Sequence, residues 1–194
     1  MKLRTILTAA LGAVFTFTAC GQKTVTENKS QEEMNENNKV LVAYFSATGT
    51  TRHVAEELAK VMDATLFEIE PETPYTSADL DWRDENSRSS VEMHDAISRP
   101  AIKDKVKDIE KYDVVFIGYP IWWYVAPTII NTFIDENNLS GKRIISFATS
   151  GGSPIEPCIE ALQKQYPNLD WDGGKLLNHT NMKELNIWKE QLGL

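Results

Sequence analysis

Residues 39–59 read KVLVAYFSATGTTRHVAEELA, and this stretch decides the fold. Lys39 to Phe45 is a near-continuous apolar run, the pattern of a strand buried on both faces. Thr51 to Met62 then places Val54, Ala55, Leu58, Ala59 and Met62 three and four residues apart, so one face of a helix is apolar. Between them lies Ser46-Ala-Thr-Gly-Thr-Thr51, four of whose six residues carry hydroxyls. A strand, a small-residue turn and a helix in that order form the opening unit of an α/β sheet.

The pattern repeats along the chain. Ala64 to Glu70 alternates as a second strand, and Asp113 to Tyr119 and Arg143 to Thr149 read as further buried strands. Helices are expected over Ala126–Glu136, Pro154 to about Tyr166, and Met182–Gln191, with a weak fifth strand over Gly174–Leu177. On the last helix Lys183, Lys189 and Glu190 are expected to face solvent, and Leu185, Trp188 and Leu192 to pack inward. Strands alternating with helices imply right-handed crossovers and a doubly wound three-layer sandwich around a five-stranded parallel sheet; among the orders such a sandwich takes, 2-1-3-4-5 is the one expected here. Pro71 to Arg99 breaks the rhythm. It is long and polar, with room for one short helix near Ser89–Asp95, and connections of this length are often functional.

The amino-terminal residues are of a different kind. Lys2 and Arg4 precede an uncharged apolar run from Ile6 to Phe17, and Thr18-Ala19 leads into Cys20. That layout predicts an export signal over residues 1–19, too short for a comfortable membrane span. Cys20 after a small residue resembles a bacterial lipobox, which predicts lipidation there; Phe17 and Thr18 depart from its usual residues, and plain cleavage near Ala19 is the alternative. Residues 20–38 are polar and predict a flexible tether reaching on the order of 25 Å. The domain is expected over 39–194. With Cys20 lipidated, Cys158 has no disulfide partner, and it is expected to pack as a small apolar residue. A formal net charge of -8 over 194 residues argues against nucleic acid as a partner.

Three loops carry the functional reading. Ser46 to Thr51 lies between strand and helix, where backbone amides and the helix dipole converge on an anion. It has no lysine, so it is not a Walker loop. Hydroxyls and amides suit a phosphate monoester, and a helix-capping turn is the alternative. Tyr119-Pro-Ile-Trp-Trp-Tyr124 follows the third strand. Three adjacent aromatics cannot all face one core, so at least one is exposed or meets a planar ligand. Thr149-Ser-Gly-Gly-Ser-Pro154 follows the fourth strand; it lets backbone pass close to a ligand, or serves as a turn with Ser153 capping and Pro154 opening the next helix. In a 2-1-3-4-5 sheet all three loops leave carboxyl ends beside the order reversal, where ligands bind. A phosphate loop, an aromatic loop and a glycine loop around one crevice describe an FMN site.

The stretches VAYFSATGTTRHVAEELA (42–59), IGYPIWWYVAPTIINTFID (117–135) and SGKRIISFATSGGS (140–153) resemble the signature segments of bacterial flavodoxin-like proteins, here in a lipoprotein-anchored variant, over residues 39 to about 190. The resemblance implies that Ser46, Thr48, Gly49, Thr50 and Thr51 hold the FMN phosphate. It also implies that Pro120, Ile121, Trp122, Trp123 and Tyr124 line one side of the isoalloxazine, with Thr149, Ser150, Gly151 and Gly152 along its other edge. The third loop lacks the aspartate and tyrosine found beside the ring in many small flavodoxins, so no reduction potential carries over. A segment around Trp82 to Met93 also resembles a stretch of some of these proteins and is expected to cover the flavin. The implied function is electron transfer between protein partners at the bacterial cell envelope, the partners presenting basic surfaces to this acidic chain. An FMN-dependent NAD(P)H:quinone-type oxidoreductase is the alternative. Neither His53, His94 nor His179 stands at metal-ligand spacing, and Arg52 is expected to be an exposed helical arginine.

Overall fold

The computed structural model describes residues 39–194. The readings made for residues 1–38, Cys20 among them, lie outside the described residues. Five parallel strands form one sheet: β1 Val40–Tyr44, β2 Thr65–Glu68, β3 Val114–Pro120, β4 Arg143–Thr149 and β5 Asp170–Leu176. Their order is β2-β1-β3-β4-β5, the order expected. The helices are α1 Thr50–Met62, α2 Arg88–His94, α3 Thr128–Glu136, α4 Glu156–Gln165 and α5 Met182–Leu192.

Alternation along each strand divides the interior into two layers. Leu41, Ala43, Val115, Ile117 and Ile144 point to the side covered by Ile129, Ile130 and Phe133 of α3 and Cys158 and Leu162 of α4. Val40, Val42, Phe116 and Ile145 point to the other side, against Val54, Leu58 and Met62 of α1 and Leu185 and Trp188 of α5. A sheet covered on both faces needs continuous apolar strands, which is why β1, β3 and β4 are so plain in the sequence. At the centre Gly118 of β3 lies under the Phe147 ring, and a Cβ built there would come within 2.0 Å of it.

Some expectations need correction. β5 begins at Asp170, four residues before the expected Gly174, because an edge strand alternates exposure and carries polar residues. Its pairing with β4 is irregular between Ile144 and Ser146, where Gly174 lets the backbones approach. The fourth helix starts at Glu156 rather than Pro154, and its N-cap is Ile155 rather than Ser153. Lys189 is half-buried, not solvent-facing, because its ammonium donates to the Val61 carbonyl at 3.0 Å. Leu185 and Trp188 are buried and Leu192 packs partly against them, as read. The link from β2 to β3 is no full crossover helix. It holds only α2 and a short 3-10 turn, Ile109–Lys111, and is closed at its base by an antiparallel bridge between Pro71 and Ile102.

Candidate functional site

The Ser46–Thr51 loop closes on itself before α1 begins. The Ser46 hydroxyl accepts from the Gly49 N–H at 3.1 Å, and Gly49 takes a left-handed φ of 92°, which a residue with a Cβ adopts only under strain. Gly49 is the N-cap of α1, and no side chain among the described residues caps the helix. The hydroxyls are therefore not spent on capping, and no side chain among the described residues takes up the amides of the first turn. Thr51 is buried and its hydroxyl meets that of Thr149 at 2.9 Å, while Thr48 and Thr50 are exposed. Arg52 is engaged by Glu68 of β2, which also accepts from the Tyr44 hydroxyl at 3.2 Å. This arginine is committed to the sheet edge.

The aromatic loop is a tight reversal. Trp122 and Val125 exchange both backbone hydrogen bonds at 3.0 Å, and Trp123 and Tyr124 between them have φ values of 46° and 67°. This is the pattern of a type I′ turn, which asks for glycine or asparagine at both positions. Two bulky aromatics there are costly, on the order of 1–3 kcal/mol each, and strain of this kind gathers at functional sites. Trp122 turns inward, with its ring 5.6 Å from both Phe45 and Tyr75 in edge-on contact. Trp123 and Tyr124 stay 38% and 65% exposed. Beneath the turn, the buried Cys158 thiol donates to the Tyr124 carbonyl at 3.3 Å, and burial pushes that thiol up to about 11.

The glycine loop is tied to both neighbours. Ile121 donates to the Thr149 carbonyl at 2.9 Å. The Ser150 hydroxyl accepts from the amides of Gly152 and Ser153 at 3.1 and 2.7 Å, and the Ser150 N–H donates to Asn178 Oδ1 at 2.7 Å.

These loops surround one open cleft of about 1250 Å³ at the carboxyl edge of the sheet. Of the residues singled out in the sequence, Thr48, Thr50, Thr51, Pro120, Ile121, Trp122, Trp123, Tyr124, Thr149, Ser150, Gly151 and Gly152 line it. Ser46 and Gly49 do not; they shape the first loop from behind. Trp82 and Ser89, from the segment of the long connection expected to cover the ligand, complete the wall, together with Ala47, Leu80, Asn178 and His179, which the sequence does not single out for the cleft. That connection is a fastened strap. Arg88 lies 4.0 Å over the Tyr75 ring, pairs with Glu92 at 2.7 Å and donates to the Thr73 carbonyl at 2.6 Å, and Arg99 pairs with Asp135 at 2.6 Å. Trp82 remains 67% exposed at its tip. A smaller groove of about 580 Å³, between Ile134–Ser140 and Gln165–Leu169, lies away from all three loops.

A doubly wound parallel sheet with one cleft at its order reversal defines the class of α/β domains that take a ligand at the strand carboxyl ends. The Flavodoxin family model matches residues 39–192, and the chain belongs to the flavodoxin family. It is similar to a proposed flavoprotein from Bacteroides eggerthii, with 55% identity, a TM-score of 0.80, and coverage of 81% of this chain and 99% of that one. A proposed flavoprotein from Bacteroides uniformis is 49% identical, with a TM-score of 0.77 and coverage of 80% and 99%. A flavoprotein in complex with FMN from Lactobacillus acidophilus shares the fold at 23% identity and a TM-score of 0.61, covering 78% and 99%. No curated protein matches the chain.

Proposed function

We propose that residues 39–194 bind FMN in this cleft and carry electrons between protein partners at the bacterial cell envelope, held there by a lipid on Cys20. The observation that carries the cofactor reading is the cleft's distribution of chemistry. Threonine hydroxyls and an α1 N-terminus with no side-chain cap stand at one end, and the exposed Trp123 and Tyr124 and the glycine loop stand along the rest. The first suits a phosphate and the second a planar ring. Family membership and the FMN complex of the Lactobacillus acidophilus protein support the same cofactor.

On this reading Thr48, Thr50, Thr51 and the first-turn amides hold the phosphate, with Ser46 and Gly49 setting the loop's shape. Pro120, Ile121, Trp122, Trp123 and Tyr124 form one wall, and Thr149, Ser150, Gly151 and Gly152 the other. Trp82 and Leu80 cover the cleft from the strap. Bound FMN supplies the redox chemistry, and the protein's part is binding, orientation and electrostatics. Asp79, Asp81, Asp84 and Glu85 stand on the strap beside Trp82 and favour a basic partner at this rim.

Titration of the purified protein with FMN tests the cofactor. Rapid mixing of the loaded protein with NAD(P)H tests the carrier role: no direct reduction supports it, and fast reduction supports the quinone-reductase alternative. Radiolabelled palmitate entering the native chain but not Cys20→Ala tests the anchor.

A further inference from the structure

Among the described residues the cleft lining contains no lysine, no arginine and no carboxylate, in a chain that carries 20 basic and 28 acidic residues, and His179 is the one residue of that lining whose side chain can carry positive charge. It is held from both sides. Its neighbour Asn178 accepts from the Ser150 amide at 2.7 Å and pins the β5–α5 connection to the glycine loop. Its other neighbour, Thr180, donates to Glu57 and pins the same connection to α1. The two anchors fix the histidine backbone where the glycine loop and α1 converge. The Thr51–Thr149 contact joins these same two elements beneath the threonine loop. The contrast with His53 is informative: His53 lies 3.7 Å from Glu57, whereas His179 pairs with no carboxylate among the described residues.

We infer that His179 is a binding residue for the anionic end of the ligand, supplying from the β5–α5 connection an imidazole N–H beside the hydroxyls and amides of the Ser46–Thr51 loop. The inference rests on the FMN reading of the cleft. An imidazole N–H donates to a phosphate oxygen, an acceptor that riboflavin does not offer. His179 therefore selects for the phosphate-bearing flavin over riboflavin, which has the same ring system and ribityl chain and no phosphate. The recognition is a matter of position, because Asn178 and Thr180 spend their side chains on holding the connection that carries His179.

The test compares FMN and riboflavin on the purified protein by quenching of flavin fluorescence. In His179→Gln the FMN Kd is expected to rise roughly tenfold, with the riboflavin Kd unchanged. Asn178→Ala, which frees the connection from the glycine loop, is expected to move the two affinities in the same sense but less. His53→Gln is the control and leaves both values where they were. Equal losses for FMN and riboflavin in His179→Gln, or no change in either, would overturn the inference. Failure of the unsubstituted protein to bind FMN is a separate result, which removes the cofactor reading and this inference with it.

Discussion

The hydroxyls of Thr51 and Thr149 meet at 2.9 Å across 98 residues of sequence, in a buried contact between the first turn of α1 and the last residue of β4. One of them opens the helix that follows the phosphate-type loop, and the other opens the glycine loop. The contact fixes the distance between the two polar sides of the cleft. Removing one partner leaves a buried hydroxyl unpaired, whereas removing both does not. Thr51→Val and Thr149→Val are each expected to destabilise the protein by about 1–2 kcal/mol. The double variant is expected to lose less than their sum, as a double-mutant cycle in urea would record.

The strained turn at Trp123 and Tyr124 has an expected signature of its own. Tyr124→Gly relieves a left-handed φ at an exposed position, so the variant is expected to be more stable by about 1 kcal/mol. Thermal unfolding should move up by roughly 2–4 °C. The same change removes an aromatic face from the cleft, so FMN affinity should fall. A variant that is less stable and binds FMN as tightly as before would contradict both halves.

Gly118 predicts the reverse. Its α-carbon lies against the Phe147 ring, and any side chain must displace that ring. Gly118→Ala is expected to cost about 1–3 kcal/mol or more in urea unfolding. Adding Phe147→Leu should recover part of the loss.

Cys158 ties pH to stability. Burial raises the thiol from its ordinary value of 9.0 to about 11 in the folded protein, favouring the neutral form. A group whose pKa is raised on folding contributes stability that is complete below the unfolded value and is lost as pH rises through the folded one. Stability should therefore decline between about pH 9 and 11, and Cys158→Ala should flatten that part of the profile. At neutral pH iodoacetamide should label the thiol only as fast as the chain opens.

Much of this architecture was legible because local pattern and tertiary environment agree. β1, β3 and β4 are buried on both faces and apolar throughout, and α1 and α5 each show one apolar stripe. β5 was legible only in its last residues, since an edge strand with Asp170, Asp172 and Gly173 carries little of that pattern. The cleft was readable where a loop directly follows a central strand. The segment around Trp82 to Met93 is legible only through a family resemblance, and Leu80, Asn178 and His179 are not legible at all, because these residues reach the cleft through contacts distant in sequence: Arg88 on Tyr75, and Asn178 on Ser150. Ser153 was misplaced as a helix cap for a similar reason. Its amide is taken by the Ser150 hydroxyl, which draws it into the glycine loop. Alternation in an extended chain predicts that at least one of the three aromatics is exposed, but the cause of the exposure of Trp123 and Tyr124 is the two-residue reversal.

Whether the three loops form one FMN site is decided by titrating the purified protein with FMN and following flavin fluorescence and visible absorbance. Quenching is expected to saturate at one flavin per chain with a dissociation constant in the micromolar range or below, weakened in Thr51→Val and Tyr124→Gly. Fluorescence that stays unquenched at micromolar FMN, with the protein folded, would contradict an FMN site there.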